Sequence, residues 1–168
     1  MRVGSIGWLT LKENHEFHPT SAHRHEFTPI LLRIFNNPSA TPMIVSLGVA
    51  ALGNDRVLIG ARYDDTTGTN AGAIYLFHTN GTLLTAFTNP NPASLYSDGD
   101  QFGGAIATLE SDQVLIGSPN DGKVYLFATN GALATTITNS PGLDNCSFGE
   151  VIVAFGNDKV SLARWILL

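Results

Sequence analysis

The sequence predicts an all-β protein made of repeated four-stranded antiparallel blades. Three observations predict it: a long internal repeat, short β-branched and aromatic runs bounded by turn residues, and no sustained 3.6-residue period. The repeat is the strongest of the three. Residues 45–60 (VSLGVAALGNDRVLIG) and 102–117 (FGGAIATLESDQVLIG) agree at 7 of 16 positions. Residues 74–90 (IYLFHTNGTLLTAFTNP) and 124–140 (VYLFATNGALATTITNS) agree at 10 of 17. Chance would supply about two identities over both stretches at average residue usage. A third copy opens at Phe148 (FGEVIVAFGNDKVSLA) and stops after its second segment, and residues 31–38 (LLRIFNNP) match the tail of a copy, residues 83–90.

Each copy reads as four strands. Runs such as Val57-Leu58-Ile59, Ile74-Tyr75-Leu76-Phe77 and Val124-Tyr125-Leu126-Phe127 are bounded by Gly, Asn, Asp and Pro. Strands one and two are joined at Asn54-Asp55, Ser111-Asp112 and Asn157-Asp158. Strands three and four are joined through Asn80-Gly81 and Asn130-Gly131, where a type I′ turn is expected, with positive φ at both central residues. The copies start 57 and then 46 residues apart. The first copy has a 7-residue longer loop after Gly60 and a 4-residue longer link after Asn89.

Four antiparallel strands at this period describe a propeller blade. The expected layout is a flexible non-repeat leader (residues 1–30), the last strand of a preceding blade with its link (31–44), a first complete blade (45–101), a second (102–147) and a truncated half blade (148–168). Two complete blades and parts of two more make a partial β-propeller, since rings close with typically 4–8 blades. Open blade edges then make self-association an expectation.

Composition narrows the function. The 168 residues carry a formal net charge of −5, which argues against nucleic acid as partner. No apolar run reaches the roughly 18–20 residues of a membrane span. The apolar stretch after Arg2 is broken by Gly4, Ser5 and Gly7, so no convincing signal peptide is expected. A single cysteine, Cys146, rules out an internal disulfide framework.

Phe102-Gly103 opening a copy, with Gly117-Ser118-Pro119 closing its second strand, resembles the FG-GAP repeat of integrin-α-type propellers; Gly60-Ala61 and Phe148-Gly149 are partial versions. The Val-Leu-Ile-Gly and Tyr-Leu-Phe-x-Thr-Asn-Gly phrasing is similar to bacterial FG-GAP repeat proteins. The resemblance covers residues 31–163. It departs at Val45-Ser46, where Phe-Gly would stand, and at Ala163-Arg164, where Gly-Ala would. It implies an extracellular or cell-surface location and an adhesive or scaffolding role with a protein or glycan ligand. It also implies calcium, held between strands one and two by a run like Asp-x-Asp-x-Asp-Gly. That run is absent here. The equivalent turns hold one or two acids each, and calcium needs roughly 6–8 oxygen ligands. No cofactor is therefore expected, and Ser97-Asp98-Gly99-Asp100-Gln101 is the nearest remaining calcium candidate.

In an up-and-down blade the strand 2–3 and strand 4–1 loops share one face. There they are long and acidic, with Asp64, Asp65, Asp98, Asp100, Asp121 and Asp144 against Arg62 and, at the edge, Lys123. Those six aspartates are the candidate ligand-binding residues, because function concentrates on loops carried by a rigid scaffold; turn chemistry alone also selects Asp and Asn. Outside the repeat, His15, His18, His23 and His25 lie beside Glu13, Glu16 and Glu26, a composition able to ligate a transition metal. His78 is expected to be an exposed strand-end residue and Cys146 an idle thiol. No catalytic or phosphate-loop motif occurs, so no catalytic residue and no metal site is assigned. The expected function is a non-catalytic binding or scaffold module. The alternatives are a metal protein or enzyme using the leader or the acidic loops, and a non-functional fragment of a longer propeller gene.

Overall fold

The computed structural model describes residues 5–11, 29–36, 38, 48–92, 99–110, 112–140, 147–155 and 159–163. Met1–Pro38 forms one compact unit and Ser39–Leu168 a second. In the first, β1 (Ser5–Leu11) pairs antiparallel with β2 (Pro29–Asn36), with a register shift between Trp8 and Leu9. β1 lies within residues 1–30, the segment read from the sequence as a flexible leader. Its apolar and β-branched run, broken as it is by Gly7, is satisfied by a second strand of the same kind. The leader histidines lie outside the described residues.

The second unit carries the blades. β3 (Val49–Leu52), β4 (Arg56–Ala61), β5 (Ala73–His78) and β6 (Leu83–Thr88) form a four-stranded antiparallel sheet in sequence order. β7 (Ile106–Leu109), β8 (Gln113–Ser118), β9 (Lys123–Ala128) and β10 (Leu133–Thr138) form the next, and β11 (Val151–Phe155) pairs with β12 (Lys159–Ala163). Among the described residues the one helical element is a 3₁₀ turn at Pro119–Asp121. The architecture is all-β, with four-stranded blades.

Why these strands lack a polar face is visible in the packing. Leu52, Leu58, Ile74, Leu76 and Phe87 of the first sheet pack with Phe102, Val114, Ile116, Tyr125 and Phe127 of the second. The alternate residues of the second sheet, Leu115, Val124 and Leu126, turn the other way and pack with Ile152, Val160 and Leu162. Each central strand is thus covered on both faces, so it reads as a continuous apolar run instead of an alternating one. Outer strands differ: β10 is exposed along its whole length.

At the first seam Phe102 is fully buried, with its ring 5.7 Å from Tyr125 and 6.1 Å from Phe127 between centroids. The glycine after it makes the close approach possible. Gly103 and its third-copy equivalent Gly149 have φ of +91° and +84°, a region where a Cβ is strained. Gly60 and Gly117 have ordinary strand backbone, yet a Cβ on either would run into the carbonyl oxygen of Gly103 or Gly149 respectively. The Phe-Gly of one copy therefore seats on the strand-two glycine of the copy before it.

The hairpins depart from the expected turn. Positive φ occurs at Gly81 and Gly131 but not at Asn80 or Asn130. Gly81 N–H donates to His78 O at 2.8 Å, His78 N–H donates to Thr82 O at 2.9 Å, and the register shifts between Leu76 and Phe77. This is a three-residue loop with a glycine bulge. The Asn side chain explains it: Asn80 Oδ1 accepts from Thr82 N–H at 2.9 Å and Asn130 Oδ1 from Ala132 N–H at 3.0 Å. That local bond holds the turn without a left-handed Asn.

Truncating Phe102 to Ala is expected to cost about 3–5 kcal/mol, as for a fully buried aromatic. Urea unfolding measures it; a loss below about 1 kcal/mol would show that the Phe-Gly seat does not hold the seam.

Candidate functional site

The loops after β4 and β8 and the link between β6 and β7 emerge at one end of the sheets and brace one another. Ser118 Oγ donates to Asp100 O at 3.0 Å, and Asn120 Nδ2 donates to Gly99 O at 2.7 Å. The strand 4–1 link of one blade is thereby fastened to the strand 2–3 loop of the next.

Asp64 is fully buried within the long loop after β4. Its Oδ1 accepts from Thr66 N–H at 2.9 Å and from the Thr66 hydroxyl, while Oδ2 accepts from Tyr75 Oη at 2.8 Å. Its carbonyl accepts from Gly72 N–H at 2.9 Å, closing the loop. Asp121, in the short loop after β8, receives Lys123 Nζ at 2.8 and 3.0 Å and Tyr125 Oη at 2.9 Å. Tyr75 and Tyr125 hold the same register, opposite Ile59 and Ile116. Loops of very different length thus end in the same tie, a buried tyrosine donating to a loop carboxylate.

Asp100 is also buried; its Oδ2 accepts from Asn89 Nδ2 at 2.8 Å. Asp65 is exposed, and its Oδ1 accepts from Asn70 N–H at 2.6 Å. Of the six aspartates singled out in the sequence, the structure brings Asp64, Asp65, Asp100 and Asp121 to this end. Asp98 and Asp144 lie outside the described residues, as do Ser97, Cys146 and the leader acids. All four placed aspartates accept hydrogen bonds that hold their loops; Asp65 alone among them is exposed. Arg62 stacks its guanidinium 4.5 Å from the Tyr63 ring centroid, and its buried Nε has no hydrogen-bond partner among the described residues.

Sequence reasoning missed the tyrosines. The signal was present: Tyr75 and Tyr125 are identical in both copies and sit in buried strands, where a phenol needs a partner. Burial, then the hydrogen bond to Asp121, then the charges of Asp121 and Asp100 push the Tyr125 phenol well above its ordinary value.

Among the described residues no three His, Cys, Asp or Glu side chains gather as they would around a metal ion. His78, the histidine among them, lies at the opposite end, half-buried, with Nδ1 accepting from Asn80 N–H at 3.0 Å and Nε2 3.6 Å from Asp55. The Ser118 hydroxyl is engaged by a backbone carbonyl. The arrangement presents a braced polar loop surface.

Residues 48–77 match the family model for the FG-GAP repeat. Over those residues the chain is similar to an FG-GAP repeat. The matched segment spans β3, β4, the loop that Asp64 closes and all but the last residue of β5, so it holds Gly60, the receiving side of the first glycine seam. No curated protein matches the chain. No helix among the described residues is long and apolar enough to cross a membrane.

The two ties differ in what remains after one is cut. Tyr75→Phe leaves buried Asp64 Oδ2 without that donor and is expected to cost about 1–3 kcal/mol. Tyr125→Phe leaves Asp121 with Lys123 and is expected to cost less; equal losses in urea unfolding would contradict the assignment.

The raised Tyr125 phenol also fixes a pH window. The native state holds this proton more tightly than the unfolded chain, so its stabilising effect is complete below about pH 10 and is lost as pH rises beyond. Absorbance at the tyrosinate band should show the Tyr125 phenol, absent from the signal of Tyr125→Phe, ionising only with unfolding. Titration of every tyrosine at its ordinary value in the folded protein would contradict this.

Proposed function

We propose that the chain is a non-catalytic FG-GAP repeat module that acts as a rigid support for a binding surface, formed by its strand 2–3 and strand 4–1 loops, for a protein or glycan at the cell surface or outside it. One observation carries this: the loops are fixed from within. Asp64, Asp100 and Asp121 are engaged by the chain's own hydroxyl, amide and ammonium donors, and the loops of successive blades are bonded to each other. A surface so braced loses little conformational entropy on binding.

The contact groups are then those left facing solvent on that frame: Asp65, Thr66, Thr67 and Thr69 in the first loop, with Asn91 in the link. Polar, uncharged and weakly acidic, they suit hydrogen-bonded recognition of hydroxyl or amide groups. A metal role for the same loops has less support, because their buried carboxylates already have donors.

Two measurements test the proposal. Calorimetry of the chain with calcium or zinc is expected to give no saturable heat; a stoichiometric heat would favour the metal reading. Replacing Thr67 and Thr69 by Gly, with Asp65 and Thr66 kept, should weaken binding to immobilised extracellular proteins or glycans while leaving the thermal midpoint within a few degrees. Binding unchanged by the replacement would place the contact surface elsewhere.

A further inference from the structure

Both complete blades turn from strand three to strand four through Asn-Gly. This dipeptide loses its side-chain amide readily, because glycine has no Cβ to shield the backbone nitrogen that follows the asparagine. The reaction balances with water alone. The Gly81 nitrogen gives up its proton and attacks Asn80 Cγ. The Cγ–Nδ2 bond breaks, the amide leaves as ammonia with that proton, and a five-membered succinimide remains. Water then opens the ring at either carbonyl, leaving aspartate or isoaspartate at position 80.

The two folded tips oppose this reaction with the same local bonds. Gly81 N–H donates to His78 O at 2.8 Å, and Gly131 N–H to Ala128 O at 2.9 Å. Asn80 Oδ1 accepts from Thr82 N–H, and Asn130 Oδ1 from Ala132 N–H. Attack requires the glycine nitrogen to be released and the asparagine side chain to turn. Each tip therefore reacts only as often as it opens.

The tips differ in what holds them from outside. Thr85 Oγ1, on β6 of the first blade, donates to Thr129 O at 2.8 Å, and Thr85 Cγ2 is 3.4 Å from where a Cβ on Gly131 would sit. The second tip is thus fastened to the blade before it, and Thr129 is half-buried. Its counterpart Thr79 is exposed, and among the described residues no hydrogen bond joins Thr79, Asn80, Gly81 or Thr82 to another sheet. The tail that precedes the first blade also lacks the hydroxyl, since Arg33 stands at the Thr85 position. What the first tip has instead is local and exposed: Asn80 N–H donates to His78 Nδ1 at 3.0 Å, where the second tip has Ala128.

We propose that Asn80 is a site of spontaneous deamidation in the folded chain and that Thr85 shields Asn130 from the same reaction. The product puts a new carboxylate in the tip where Asp55 Oδ2 already faces His78 Nε2 at 3.6 Å. Isoaspartate further inserts a methylene into the backbone of a three-residue loop.

The test is peptide mapping of the full chain incubated at mildly alkaline pH, folded and in urea, with aspartate and isoaspartate at positions 80 and 130 followed by mass spectrometry. In urea the two sites are expected to react at equal rates, since glycine follows both asparagines. In the folded chain Asn80 is expected to react about fivefold faster than Asn130, the population change that one net hydrogen bond makes. Thr85→Val keeps the shape without the hydroxyl and should bring Asn130 to the rate of Asn80. Thr85→Ser keeps the hydroxyl and should leave Asn130 slow, with circular dichroism confirming that both variants fold. His78→Ala, which gives the first tip the alanine of the second, should leave Asn80 the faster. No product at position 80, equal folded rates or a faster Asn130 overturns the proposal. So does a difference that survives Thr85→Val, or one abolished by His78→Ala, which would trace it to the imidazole.

Discussion

Everything described in the blades depends on one close approach, a strand glycine of one blade meeting the carbonyl of the next blade's Phe-Gly turn. Gly60 receives Gly103 and Gly117 receives Gly149, at separations that exclude a Cβ. The approach sets the spacing of the sheets. That spacing in turn lets Phe102 reach into the apolar seam between Phe87, Tyr125 and Phe127, and it lets the loops of one blade bond to those of the next. Burial of a phenylalanine supplies the attraction and a pair of glycines supplies the geometry. Neither residue type does the work alone.

The loop end depends on the same frame by a different chemistry. Buried carboxylates are costly unless they are hydrogen-bonded, and here phenols from the central strands meet Asp64 and Asp121 while the Asn89 amide meets Asp100. Because Tyr75 and Tyr125 rise from a fixed register, they offer the same hydroxyl to loops of unequal length. Loop length can vary between copies while its anchor does not. The outer surface of the loop is thereby free to differ in sequence without loosening its attachment.

Much of this was legible in the sequence. The copies, their strand count and the position of Phe102-Gly103 follow from repeat identity and strand-sized apolar runs, and the structure has them where that pattern places them. Three things were not legible, for physical reasons. Asn80-Gly81 is compatible with more than one tight turn, and the choice rests on whether the Asn side chain bonds Thr82 N–H. Aspartate in a loop is equally suited to holding the loop and to holding a ligand. Only the distance to a tyrosine hydroxyl on another strand separates Asp64 and Asp121 from exposed Asp65. The strand at Ser5–Leu11 was missed because a single unrepeated apolar run, interrupted by a glycine, carries no pairing information until its partner is known.

Gly117 is required for space and not for backbone freedom. Comparing Gly117→Ala with Gly122→Ala in urea unfolding tests it most directly. Gly122 has φ of +63° but room for a Cβ, its nearest neighbour being Asn139 Cβ at 3.9 Å; Gly117 has ordinary strand backbone and no room. Gly122→Ala is expected to cost about 1 kcal/mol, the left-handed penalty, and Gly117→Ala to cost more. A Gly117→Ala protein as stable as the parent, or less destabilised than Gly122→Ala, would contradict it.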